Sequence, residues 1–242
     1  MTVGMLSIQS HETRSALVAI PYQPLVGNPL KNTVILDAAV EFPYWFSSPT
    51  TEAERRESAA WLLTDPHNLV WEVWRGQTLV GLLLLWRVMP RVDALLHFVF
   101  FDRNLAGKRM LLLNFLGFCF DTLGFQRISL EVPEFVETLA SFARRKLGFR
   151  FEGETRTVDH PAVERLGVGS TGQIQSPALW VARQGSRREH AHWHEGEWRD
   201  VLCLRLLKSD YEDFVRRMTD ASARRGSGTP GRDLNVHLVQ RY

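Results

Sequence analysis

LHFVFFDRNLAGKRMLLLNFLGFCFDTLGFQRISLEVPEFVETLASFARRKLGFRFEG, from Leu96 to Gly153, decides the fold. It reads in turn as a strand (LHFVFF), a short polar loop (DRNLAG), a long apolar helix (KRMLLLNFLGFCFDTL), a strand (RISLEV), an amphipathic helix (VETLASFARRKL) and the close GFRFEG. Two strands joined through a helix of that length form a parallel crossover, because antiparallel partners need only a short turn. The polar loop then lies at the carboxyl edge of the first strand, beside a helix N-terminus. Free N–H groups and the positive end of the helix dipole make that corner suited to an anion.

Upstream, Thr51 and Glu54 form a capping box before a helix that reaches Leu63, with Ala53, Ala60, Trp61 and Leu63 on its apolar face. Leu69–Trp74 and Thr78–Val88 flank Arg75–Gln77 as an antiparallel hairpin, and Asp93–Asp102 adds a third strand after Met89 and Pro90. A further strand is expected over Ala16–Ile20. Asp37–Phe46, broken by Pro43, reads as a helical turn and a loop that offers Tyr44, Trp45 and Phe46 to the core or to a ligand.

Downstream, Lys108–Leu123 is apolar on nearly every side, as befits a helix packed on a sheet and covered by neighbours. Val136–Leu147 is amphipathic. Arg144, Arg145 and Lys146 suit its negative end, and Gly148 closes it. From Glu154 to Trp198 the pattern loosens into a Gly-, Ser-, Arg- and His-rich connection with one short strand at ALWVA, before a strong strand over Arg199–Leu207. Beyond Asp210, YEDFVRRM suggests a short helix and ASARRGSGTPGRD has the composition of disorder. One domain is expected over residues 1–210 with an insertion at about 154–198, followed by a helix and a basic tail over 211–242.

At 242 residues and 45% hydrophobic content the chain can bury one substantial core. A formal charge of +2 is too near balance to announce a nucleic-acid partner. Cys119 and Cys203 sit among apolar residues and are expected as buried, reduced thiols of a cytoplasmic protein. The N-terminus lacks the basic-then-apolar order of a signal peptide, and the apolar runs fall short of the ~20 residues of a membrane span. A soluble protein with no membrane partner is expected.

The element order resembles the GNAT superfamily of acetyl-CoA-dependent N-acetyltransferases across most of residues 16–210. The pieces that carry the resemblance are GQTLVGLLLLW, FFDRNLAGKRMLL, KLGFRFEGETR and EGEWRDVLCLRLL. The last two are similar to the branch that acetylates protein N-termini. The resemblance implies an α/β (α+β) fold: a mixed sheet of about seven strands, an antiparallel N-terminal meander, a splayed parallel pair at 93–102 and 126–132, and flanking helices. It also implies acetyl-CoA, held by Phe100, Phe101, Asn104, Ala106, Gly107, Lys108 and Arg109. The family's phosphate loop asks for Gln or Arg, two free positions, Gly, one free position, then Gly or Ala. Gly107 fits; Asn104 and Arg109 depart from it. Arg109 at the small position either crowds the phosphate approach or substitutes a side-chain cation for it.

The resemblance further implies direct attack of an amine on the thioester, with Tyr44 and Trp45 walling the acceptor, a small amine or a protein N-terminus. The family's proton-donating Tyr falls on Arg144, and its frequent Asn on Glu137. His97 and Glu131, on adjacent parallel strands, are the candidate bases. An alternative follows from the same departures and the basic tail: a degraded GNAT-like domain serving a larger assembly, such as a phage virion, through its C-terminus. His190, His192 and His194 alternate as zinc or copper ligands do in a strand, but without a separated fourth ligand they read as a polar flap and no metal is expected.

Overall fold

The capping box, the hairpin turn and the crossover together define α1 (Glu52–Thr64), β2 (Leu69–Arg75), β3 (Thr78–Met89), β4 (Asp93–Phe100), α2 (Lys108–Asp121) and β5 (Arg127–Pro133), preceded by β1 (Leu17–Pro21). They are followed by α3 (Glu137–Phe142), β6 (Arg150–Phe151), β7 (Arg187–His194), β8 (Glu197–Leu207) and α4 (Lys208–Arg224). The computed structural model describes residues 16–22, 35–37, 51–102, 104–152, 187–194 and 197–224. The described strands form one sheet in the order β1-β2-β3-β4-β5-β8-β6, with β7 paired to β8. All pairings are antiparallel except β4 with β5. This is the mixed, meander-plus-crossover fold that the resemblance implied.

Side-chain alternation puts Leu83, Leu85, Leu96 and Leu130 in one core beneath α2 and α3, and Leu82, Leu84 and Val99 in a second core beneath Leu63 of α1. Phe115 of α2 is fully buried and meets Trp71 edge-on, ring centroids 4.8 Å apart. The outer side of α2 is covered by α4, which runs antiparallel to it. Lys208 lies 3.2 Å from Asp121, the Tyr211 hydroxyl donates to the Leu113 carbonyl at 3.0 Å, and Met218 reaches Arg109. This explains why α2 is apolar all round.

Three stretches differ from the sequence expectation. α4 starts directly from β8 and runs to Arg224, into residues read as disordered, because Tyr211, Phe214 and Met218 recur at helical spacing and all pack on the core. The helix read over Val136–Leu147 is composite: a 3₁₀ turn at Glu134–Val136, α3, and a π turn at Ala143–Leu147 that closes on Gly148 with φ of 86°. Residues 187–194, read as flap, form β7, and β8 begins at Glu197 rather than Arg199. β6 and β7 share one edge of β8, at Leu204–Arg205 and Glu197–Leu202. ALWVA and the tail beyond Arg224 lie outside the described residues. Among the described residues, no helix is long and apolar enough to cross a membrane.

Two glycines provide a test. A Cβ at Gly81 would lie 2.4 Å from the Val99 carbonyl oxygen, a backbone atom of the neighbouring strand, whereas a Cβ at Gly107 has 3.5 Å to the nearest Leu17 carbon and meets only the cost of its positive φ. Gly81→Ala is expected to lose more than ~2 kcal/mol in urea denaturation, and Gly107→Ala about 1–2 kcal/mol.

Candidate functional site

β4 and β5 pair at only three positions: Asp93 with Arg127, Ala94 with Ile128 and Leu95 with Ser129. Beyond these, among the described residues, β4 continues to Phe100 beside β3 alone and β5 continues to Pro133 beside β8 alone. The facing edges of residues 96–100 and 130–133 therefore part into a wedge. The loop 101–107 and the first turn of α2 follow at the wide end of β4.

At that mouth, Asp102 shapes the loop by accepting the Asn104 N–H at 2.8 Å on Oδ1 and the Leu105 N–H at 3.2 Å on its carbonyl. Buried Leu105 anchors the loop, while Asn104 and Ala106 are exposed. Gly107 caps α2 with φ of 85°, a conformation that costs glycine little, and Lys108 opens the helix. Phe100 packs toward the α2 core and Phe101 toward the α1 core, so the pair straddles the sheet. Arg109 is bonded to two neighbouring elements. Its Nε donates to the Lys146 carbonyl at 3.2 Å and its Nη2 approaches the Met218 sulfur at 2.7 Å, which ties α2 to the π turn and to α4.

His97 and Glu131 share the α1 face of the sheet. His97 is paired with Leu84 of the α1 core, and Glu131 alternates with Leu130 and Val132 of the opposite core. The His97 Nε2 is buried with no hydrogen-bond partner among the described residues, as is the Trp86 Nε1 beside it; the two rings meet edge-on at 5.3 Å. Burial, and then the Arg87 charge, pulls the His97 pKa down to about 4, so the imidazole is neutral at pH 7. Glu131 is engaged by two cations, Arg188 of β7 and Arg87 of β3, the latter at 3.6 Å. Arg188 also lies 3.9 Å from the Cys203 sulfur, and Cys203 is the cross-strand partner of Glu131. Burial pushes the Cys203 thiol up, against the opposing pull of Arg188.

Arg87 and Arg188 escaped sequence reasoning. Leu83 and Leu85 point into the α2 core, and a regular strand would send Arg87 after them. Instead the β3–β4 register shifts between Trp86 and Met89 and Arg87 has φ of 49°. Its guanidinium folds back over the Trp86 ring, 4.6 Å from the centroid. A non-glycine residue held there costs roughly 1–3 kcal/mol. Arg188 was hidden because its stretch read as a loop.

Other expected residues are accounted for as follows. Tyr44 and Trp45 lie outside the described residues, as do the side chains of His190 and His194. His192 is buried, 5.7 Å from the Phe135 ring. Arg144, where the family's tyrosine would stand, stacks on Phe151 at 4.3 Å. Tyr211 is committed to Leu113, with its pKa pushed up to about 12 by burial and by Asp121. Cys119 is buried and its thiol strongly raised.

A splayed parallel pair, a crossover helix with a glycine cap at its mouth and an antiparallel meander on one side make up an N-acetyltransferase fold. A chimera of the Vibrio cholerae spermidine N-acetyltransferase SpeG with hSSAT superposes with a TM-score of 0.56 at 17% identity, covering 82% of this chain and 99% of the other. The V. cholerae enzyme in complex with CoA and spermine gives 0.53 at 18%, covering 81% and 98%. Its complex with manganese ions gives 0.54 at 17%, covering 82% and 96%. No protein-family model matches the sequence, and no curated protein matches it.

The low pKa of His97 has a measurable consequence. Its unfolded value is 6.5 and its folded value about 4, so between these the unfolded chain binds more protons and stability falls as pH falls. The full difference is at most ~3 kcal/mol. Urea titrations at pH 7 and pH ~4.5 are expected to show a smaller acid loss for His97→Gln than for the parent, by about 2 kcal/mol.

Proposed function

We propose that the chain is an acetyl-CoA-dependent N-acetyltransferase that transfers acetyl to a small amine. The observation that carries this reading is the parting of β4 and β5 next to the glycine-capped first turn of α2. The fit to coenzyme A rests on the unpaired strand edges, which offer backbone N–H and C=O groups to an extended amide-bearing arm, and on Gly107, whose conformation opens the first turn to a diphosphate. When bound, acetyl-CoA supplies a thioester carbonyl as the electrophile.

The chain's own residues supply the rest. Free N–H groups on the β4 edge polarise a carbonyl lying in the wedge. His97, neutral at pH 7, and Glu131 are the two proton acceptors facing the acceptor side from adjoining strands, and either takes the amine proton directly or through water. Arg144 is stacked on Phe151 and Tyr211 is bonded to α2, so proton return to a leaving thiolate falls to water. Tyr44 and Trp45 are proposed as the acceptor wall. The similar solved structures are of spermidine N-acetyltransferases, which favours a small amine; the GF-x-x-EG and WRD elements favour a protein N-terminus as the second acceptor class. Two free thiols suit a reducing cytoplasm.

The competing reading is a catalytically silent domain in a larger assembly, favoured by the arginine at the tyrosine position and the low proton affinity of His97. The two separate cleanly. Acetyl-CoA at a hundredfold excess over its Kd is expected to add about 2.7 kcal/mol of stability, a rise of several degrees in Tm, and Gly107→Trp should abolish it. His97→Ala and Glu131→Gln are each expected to lower turnover on a responsive amine by ~100-fold. No melting shift at millimolar acetyl-CoA would establish the silent reading instead.

A further inference from the structure

Two arginines converge on Glu131 on the α1 face beside the wedge, and neither is used by the transfer chemistry itself. Arg87 is held in a left-handed conformation that a regular strand would not give it, and the result is a guanidinium over Trp86 rather than in the α2 core. Arg188 arrives from a different strand, β7, and the two guanidinium groups meet at a single carboxylate oxygen, Oε1 of Glu131. Both arginine side chains are about half exposed, at 58% and 49%, so solvent or a ligand reaches them. Arg87 is close enough to His97 to lower its pKa, which places the same cation beside the candidate base.

Two guanidinium groups against one carboxylate leave a net positive charge, and the forked donors match a planar, two-oxygen acceptor. Glu131 is in effect an internal example of the group that this pair receives. A polycation such as spermidine would meet like charge here, and a neutral amine would gain nothing from it.

Resting on the acetyl-transfer reading, we propose that Arg87 and Arg188 form a carboxylate clamp, and that the acceptor is an amine bearing a carboxylate next to its amino group, an amino acid in chemical class. The clamp holds the carboxylate while the amine lies toward His97. Strain at Arg87 is then the structural cost of turning a strand residue toward the acceptor. Trp86 fixes the direction of that guanidinium from below.

Thiol release from acetyl-CoA is to be followed with the full-length protein on three acceptor probes: a pool of the proteinogenic amino acids, the pool of their α-amides, and spermidine. Amino acids are expected to exceed both others in kcat/KM by at least ~10-fold, the discrimination of a paired carboxylate over its neutral analogue. Arg87→Gly removes the strained side chain without requiring a new backbone conformation, so the fold is kept. It should bring the amino-acid to amide ratio near one through KM for the amino acid, leaving KM for acetyl-CoA unchanged. Arg188→Ala should reduce the ratio in the same way. Equal turnover of amides or spermidine, a ratio that survives both variants, or acetyl-CoA binding with no release from any pool would overturn the clamp. If acetyl-CoA fails to bind, the transfer reading itself falls. Calorimetry of the amino-acid pool alone then decides the clamp: tighter binding than the amide pool upholds it, and equal binding overturns it.

Discussion

Asp93, Arg127 and Ser129 hold β4 and β5 together at one end, and the usefulness of the whole sheet depends on their doing so only there. The Ser129 hydroxyl donates to Asp93 Oδ1 at 3.2 Å, and Arg127 donates to Ser129 at 3.0 Å and to Glu152 at 2.6 Å while lying 3.4 Å from Asp93. Each contact is partly exposed and worth little by itself. Together they mark the three-residue ladder beyond which the strands separate. The separation is tolerable because each strand has a full partner on its other side: β5 is laddered to β8 at seven positions, and β4 to β3 as far as Phe100. Among the described residues, the inner edges beyond the three-residue ladder have no strand partner. Buried backbone groups need partners, so edges left open by neighbouring strands are places where water, another segment or a ligand pairs with the sheet.

The helical layer adapts to the same geometry. α2 must bring its N-terminus to the wedge mouth, and its direction is set by the Trp71–Phe115 contact on one side and α4 on the other. Arg109 ties these parts together, bonded to the end of the π turn and to α4. A residue that departs from the family's small-residue pattern thus serves as a brace between helical elements. Gly148 makes the close contact possible: its φ of 86° and the nearness of Phe214, 2.8 Å from a would-be Cβ, leave room for no side chain.

The elements governed by short-range chemistry were readable from sequence. The Thr51–Glu54 capping box is present with both reciprocal bonds, and the hairpin around Gly76 and the crossover through Lys108 follow from turn residues and period. Gly107 was singled out by the resemblance alone, and the structure places it as the left-handed cap of α2. What could not be read depends on contacts distant in sequence. α4 gains its length from surfaces supplied by α2 and α3, and β7 is a strand only because β8 offers an edge. His97 and Glu131 were placed on neighbouring strands by periodicity. That Arg87 would join them requires a reversal of side-chain direction at a register shift, which strand alternation predicts against.

That reversal also connects the two halves of the site. Burial is the main reason His97 holds protons weakly, and the Arg87 charge adds to it. Among the described residues the two guanidinium groups share the single carboxylate of Glu131, 3.6 Å from Arg87, so one positive charge is left over near the imidazole. A second carboxylate bound at the clamp would offset it and make His97 a better proton acceptor while the amine is in place. On this reading the weak base is not a defect of the site. Under the proposed clamp, the proton affinity that transfer needs would be delivered by the group that identifies the substrate, and recognition and deprotonation would share one guanidinium.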